Sequence, residues 1–170
     1  MKVAVGGTFD PIHDGHRALL RKALELGSDG VVVGLTSDEL APKTRPKPRE
    51  IRPFEERRGN LLDELEALDE EGGYGRDFRV EKLEDPYGVA SEDPEFDVLI
   101  VSPETEEGGK KINEIREERG YEPLELVVVP HVIADDGKPI SSTRVVEGKI
   151  TPSGKVLQEA DVDMDVDADT

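Results

Sequence analysis

His13 and His16 stand three residues apart inside Gly6-Gly7-Thr8-Phe9-Asp10-Pro11-Ile12-His13-Asp14-Gly15-His16, and imidazoles so spaced can donate to a chain of phosphates. Val3-Ala4-Val5 precedes the segment and Arg17-Ala18-Leu19-Leu20 follows it, so the pair falls where a strand passes into a helix. The first N–H groups of a helix lack internal partners and carry the positive end of its dipole, a setting that suits an anion. Gly6, Gly7 and Gly15 have no Cβ and are expected to let a ligand come close to the backbone. The segment reads as a polyphosphate site.

Other groups add to it. Ser141-Ser142-Thr143 offers hydroxyls and free N–H groups at the start of a short helix near residues 140–147, a plain helix cap that also suits a triphosphate. Between positions 43 and 58 seven bases (Lys43, Arg45, Lys47, Arg49, Arg52, Arg57, Arg58) face three acids, a cationic island in a chain of net charge −18. An exposed basic loop and an anion-binding loop both fit such an island. The histidines could instead be a metal pair, but cysteine is absent and His131 is the only further histidine, so no metal site is expected.

The elements that must carry these residues alternate. Residues 2–5, 30–36, 78–83, 96–101 and 124–129 read as strands, the second of them β-branched. Helical stripes fill 14–26, a segment opened by Pro53 and closed by Gly72-Gly73, and a segment capped at Ser102-Pro103 that stops at Gly120. Gly108-Gly109 argues that this last helix begins later than Pro103 or lies close to a neighbour. A proline-rich loop occupies 42–52. Strands separated by helices imply an α/β three-layer sandwich with a parallel, Rossmann-like sheet of about five strands. Ligands bind such sheets beyond the strand C-termini, where the loops at 6–13, 36–52, 102–105 and 130–143 fall.

Composition narrows the class. With 40 acids and 22 bases among 170 residues, binding to nucleic acid or an anionic membrane is disfavoured, and a solvated, salt-tolerant surface is expected. No apolar stretch approaches the roughly 20 residues of a membrane span, and the first strand begins at once, so a cytoplasmic protein is expected. Residues 1–158 form the expected domain. Residues 159–170, with six acids and no base, form an expected disordered tail. Neither a Walker-type phosphate loop nor a Gly-x-Gly-x-x-Gly fingerprint is present, which disfavours ordinary kinases and dehydrogenases.

Gly7-Thr8-Phe9-Asp10 with His13-Asp14-Gly15-His16 resembles the first motif of the nucleotidyltransferase superfamily, and Ile140-Ser141-Ser142-Thr143 resembles its second. Thr36-Ser37-Asp38-Glu39, Asp85-Pro86-Tyr87-Gly88, Val101-Ser102-Pro103-Glu104-Thr105, Ile112-Asn113-Glu114-Ile115-Arg116 and residues 136–144 resemble the archaeal form of phosphopantetheine adenylyltransferase. That resemblance implies transfer of AMP from ATP, with Mg2+, to 4′-phosphopantetheine, giving dephospho-coenzyme A and pyrophosphate. With the acidity it implies a halophilic archaeal source. It implies roles too: His16 on the α-phosphate, His13 on the β- or γ-phosphate, Thr8 on the acceptor phosphate. Gly6, Gly7, Phe9, Asp10, Ser141, Ser142, Thr143 and Arg144 would meet the nucleotide, and Lys43, with Arg45 and Lys47 as alternatives, would bridge the two phosphates. Glu104, Thr105 and Asn113 would face adenine or ribose.

Two positions depart from the pattern. Val146 stands where the superfamily often has arginine, and Ser102-Pro103 where bacterial members have Arg-Gly. Other members of the superfamily, using CTP with a glycerol- or alcohol-phosphate, or ATP with FMN or nicotinamide mononucleotide, remain alternatives, as does a nucleotide sensor without turnover.

Overall fold

A computed structural model describes residues 1–44 and 50–157. Strands β1 Val3–Gly7, β2 Val31–Thr36, β3 Phe78–Leu83, β4 Val98–Val101 and β5 Glu125–Val128 alternate with helices α1 Asp14–Leu26, α2 Phe54–Gly72 and α3 Glu106–Glu118, and a short α4, Ser142–Val146, follows. Every neighbouring pair is parallel, in the order β3-β2-β1-β4-β5. The three-layer, Rossmann-like α/β fold read from the sequence is therefore observed. The order reverses between β1 and β4, so the loop leaving β1 lies at the switch point where such sheets open a crevice.

Alternation along the central strands builds two cores. Val3, Val5, Val31, Val33 and Leu35 face Leu20, Ala23 and Leu24 of α1 and Leu61, Leu65 and Leu68 of α2. Their neighbours Ala4 and Val32, with Leu99 and Val101, face Ile112 of α3. Both faces are covered, which is why these strands read as unbroken apolar runs. Among the described residues no helix is long and apolar enough to cross a membrane.

One helix start differs from the sequence reading, and another falls later than Pro103, as Gly108-Gly109 argued. Pro53 is the N-cap of α2, in extended backbone, rather than its first residue. Helix α3 begins at Glu106, because Ser102 and Thr105 bond each other first: Ser102 N–H donates to Thr105 Oγ1 at 2.9 Å and Thr105 N–H to Ser102 Oγ at 3.3 Å. Gly109 also explains its place. A Cβ there would lie 3.1 Å from Leu126 and 3.3 Å from Leu99 and Val101, so its absence lets α3 settle onto β4 and β5.

The chain after β5 forms a third cluster of Ala134, Ile140 and Ile150. It carries α4 to the mouth of the sheet. Pro152 accepts from Asp14 N–H at 2.9 Å, tying this segment to the first turn of α1.

Candidate active site

The two histidines cap their own helix. His13, the extended N-cap of α1, accepts Gly15 N–H at Nδ1 (3.0 Å), and His16 Nδ1 accepts His13 N–H (3.2 Å). Since each Nδ1 is an acceptor, the ring hydrogen that each imidazole can donate is the one on Nε2. The rings stack with centroids 3.9 Å apart, and Phe9 leans on His16 at 4.9 Å. Gly7 and Gly15 flank this stack. A Cβ on Gly7 would meet the Phe9 ring at 3.1 Å, and one on Gly15 would meet His13 Cε1 at 2.7 Å and Nδ1 at 2.9 Å. The expected space for a ligand over Gly7 and Gly15 is thus taken by the protein's own rings, while a Cβ on Gly6 would only come into ordinary contact with Leu83, at 3.4 Å.

Phe9 is 2 % exposed and adopts φ 51°, a left-handed conformation that costs an L residue roughly 1–2 kcal/mol. Burial of its ring against Gly7 and His16 offsets that cost. A Gly15→Ala variant would drive the His13 ring out of its cap; turnover is expected to fall about tenfold or more, because small displacements of positioning groups are costly in rate. Steady-state kinetics beside a thermal melt checks it, since alanine itself favours the helix.

Burial lowers the pKa of His13 to about 4, with Arg17 lowering it further and Asp14 opposing both. His13 is therefore neutral near pH 7, so any hydrogen bond it gives is that of a dipole and not of a cation. In the unfolded chain the same group titrates near its ordinary 6.5, so the unfolded state takes up the proton first as pH falls. The stability that His13 contributes is present above pH 6.5 and lost between there and about 4. Melting temperatures between pH 7 and 4 should drop less steeply in His13→Asn, which keeps a good N-cap. Equal slopes would contradict this.

The second motif is bound to the first. Ser142 Oγ donates to the Pro11 carbonyl (3.2 Å), and Ser141 Oγ accepts Arg144 N–H (3.2 Å) as the N-cap of α4. Thr143 is the motif's remaining hydroxyl, without a protein partner among the described residues. A cleft of about 590 Å³ separates the Asp10-Pro11 turn and the chain from Glu50 to Pro53 from Val145, Val146 and Pro152.

A cytidylyltransferase-like family model matches residues 4–148, most of the chain. A phosphopantetheine adenylyltransferase from Methanosarcina acetivorans is 46% identical over 163 residues, covering 94% of this chain and 97% of that protein. One from Methanothermobacter thermautotrophicus is 43% identical, covering 92% and 89%. The chain belongs to the phosphopantetheine adenylyltransferase family. A crystal structure of a protein of unknown function from Archaeoglobus fulgidus has the same fold, with TM-score 0.65 and 38% identity over 76% of this chain and 89% of that one.

In this member of the phosphopantetheine adenylyltransferase family, the tertiary structure gathers Thr8, Phe9, Asp10, His13, His16 and residues 141–143 at one end of β1. Asp10, 4 % exposed, accepts Arg52 N–H at 2.8 Å, with Arg52 Nε 3.5 Å from its other oxygen. Arg144 turns away, donating to the Pro139 carbonyl and pairing with Asp136. Asn113 holds both backbone groups of Leu124, donating at 3.0 Å and accepting at 2.7 Å, and so clamps α3 to the start of β5 rather than facing a ligand. Glu104 lies 4.0 Å from His131 Nε2. Of Lys43 only the backbone is described, in a short 3₁₀ turn, Ala41–Thr44. Arg45, Lys47 and residues 159–170 lie outside the described residues.

One important residue escaped the sequence reading. Arg57, counted there with the cationic island, is fully buried beneath the ends of β1 and β2. Its position was visible only as a cation one turn into α2, on the same stripe as Phe54 and Leu61.

Proposed function

We propose that this protein transfers the adenylyl group of ATP to the phosphate of 4′-phosphopantetheine, releasing pyrophosphate and forming dephospho-coenzyme A. The observation that carries this reading is the pair of stacked imidazoles at the switch point, each with Nδ1 accepting a backbone N–H of the helix start, in a chain whose relatives bear that name. The acceptor needs little activation. A phosphate monoester with a second pKa of about 6 is already an anionic nucleophile near neutral pH, so no general base is required.

An acceptor oxygen attacks the α-phosphorus in line while the bond to the β-phosphate bridging oxygen breaks, and pyrophosphate leaves with that electron pair. The protein must hold two anions together and stabilise charge on the α-phosphoryl oxygens and the leaving group. His16 Nε2–H donates to the α-phosphate and His13 Nε2–H to the β- or γ-phosphate. Gly6, Gly7, Phe9 and Asp10 shape the nucleotide side, and Thr143 is the hydroxyl of the second motif available to the triphosphate. Ser141 and Ser142 hold that motif in place. Thr8 receives the acceptor phosphate, and Lys43 bridges it to the α-phosphate. Magnesium enters with the nucleotide as MgATP, carried by phosphate oxygens and water, as is usual for this ion.

A panel of ATP or CTP against 4′-phosphopantetheine, glycerol phosphate, FMN and nicotinamide mononucleotide, read by pyrophosphate release, tests the reading. Release only with ATP and 4′-phosphopantetheine is expected. Release with CTP and none with that pair would reject it. Val146, 52 % exposed on α4 where the superfamily often has arginine, favours a second reading as a nucleotide sensor. Tight ATP binding without pyrophosphate would support that one.

A saline archaeal cytoplasm suits a net charge of −18. Self-repulsion at that charge weakens as salt shortens the screening length, from about 10 Å at 0.1 M to about 3 Å at 1 M. The melting temperature should therefore rise over that range of KCl, and a flat or falling trend would count against a halophilic setting.

A further inference from the structure

Arg57 is 0 % exposed and spends four N–H groups on the loops at the strand ends. Nε donates to the Arg52 carbonyl at 2.7 Å, Nη2 to Asp38 at 3.0 Å, and Nη1 to both the Thr8 carbonyl and Thr36 Oγ1 at 3.3 Å. Thr36 Oγ1 in turn lies 2.9 Å from Thr8 Oγ1, and both threonines are buried. These contacts form a line from guanidinium to Thr36 to Thr8.

We propose that Arg57 and Thr36 are positioning residues that orient the Thr8 hydroxyl as a hydrogen donor toward the phosphate of the incoming acceptor. This rests on the adenylyltransferase reading above and on Thr8 as the acceptor-side group.

Hydrogen-bond direction along this line is fixed at both ends. Arginine donates and never accepts, so Thr36 Oγ1 receives from Arg57 and has its own hydrogen to give. A phosphate anion at the other end accepts and never donates. With both ends so defined, only one order satisfies the line: Arg57 to Thr36, Thr36 to Thr8, Thr8 to phosphate. Hydrogen bonds in series within a buried site polarise one another, so the Thr8 hydroxyl is a stronger donor than an isolated one. Fixing the Thr8 carbonyl with the same guanidinium nitrogen holds the residue in place. Asp38, exposed at the far side, holds the guanidinium through Nη2 and limits its rotation.

The test is a double-mutant cycle on the full chain, reading the Kd of 4′-phosphopantetheine by calorimetry with its KM, and the KM of ATP as control. Thr36→Val should raise both acceptor constants about tenfold or more, the worth of a hydrogen bond to a charged group, and leave the ATP KM within about twofold. Thr36→Ser, which keeps the hydroxyl, should restore them. In a Thr8→Val background Thr36→Val should add nothing, because its effect passes through Thr8. Arg57→Lys should behave as Thr36→Val does, and if it fails to fold the Thr36 cycle decides alone. Unchanged acceptor constants in Thr36→Val, an equal shift for ATP, or additive effects in the cycle would overturn the proposal. A wild-type protein that binds 4′-phosphopantetheine without turnover sinks the adenylyltransferase reading while the Kd cycle still judges the relay; one that does not bind it overturns both.

Discussion

His16→Ala is expected to lower kcat by a factor on the order of 10² to 10³, the usual loss when one donor to a developing oxyanion is removed. The ring is held on three sides. Its Nδ1 accepts His13 N–H, one face stacks on His13, and Phe9 leans against it. On the adenylyltransferase reading such a ring is preorganised, with its direction set before a nucleotide arrives, so that its contribution would fall on the transition state. The variant also loses half of the reciprocal cap, which costs roughly 1 kcal/mol of stability and should leave folding largely intact. His16→Asn can still accept at the helix start, so a matching fall in turnover with a smaller change in melting temperature separates catalysis from capping. Near-normal turnover in either variant would remove His16 from the mechanism.

Arg116→Met should destabilise the protein by about 3–5 kcal/mol, because several buried carbonyls lose their donor. Arg116 is fully buried on α3, with carbonyls rather than a carboxylate around it. Nε donates to Glu122 at 2.8 Å, Nη1 to Ala90 at 2.7 Å and Asp93 at 2.8 Å, and Nη2 to Pro94 and Phe96 at 3.4 Å. Burial pulls its pKa below the ordinary value, while Asp93, Tyr121 and Asp97 act in the opposite sense. Methionine fills much of the volume but leaves five carbonyls short of a donor, and each buried orphan costs roughly 1–3 kcal/mol. Chemical denaturation measures the loss. A change under about 1 kcal/mol would mean that water reaches the loop from Ala90 to Phe96 and satisfies those carbonyls.

Both arginines show where a linear reading stops. Arg57 and Arg116 look like surface cations on amphipathic helices, since arginine is seldom fully buried. What buries them is the set of carbonyls and hydroxyls that strand ends and loops leave without partners, and those groups come from segments up to 49 residues away. Arg144 illustrates the reverse case. Its place in the second motif suggested the nucleotide, whereas Asp136 and the Pro139 carbonyl hold it at the loop before α4. Asn113 sits within a family-like segment, yet its amide completes the backbone of Leu124.

The amino-acid sequence alone determined the alternation of strands and helices, the parallel sheet and the placing of His13 and His16 at the end of the first strand. These follow from local periodicity, turn residues and motif spacing, all of which act within a few residues. Long-range packing set the rest: Gly7 and Gly15 make room for rings of the protein itself, Ser142 ties the two motifs together, and Arg57 lies under Thr8 and Thr36. Those outcomes depend on which buried polar groups from distant segments meet and must satisfy one another, a condition that exists only once the chain has closed on itself.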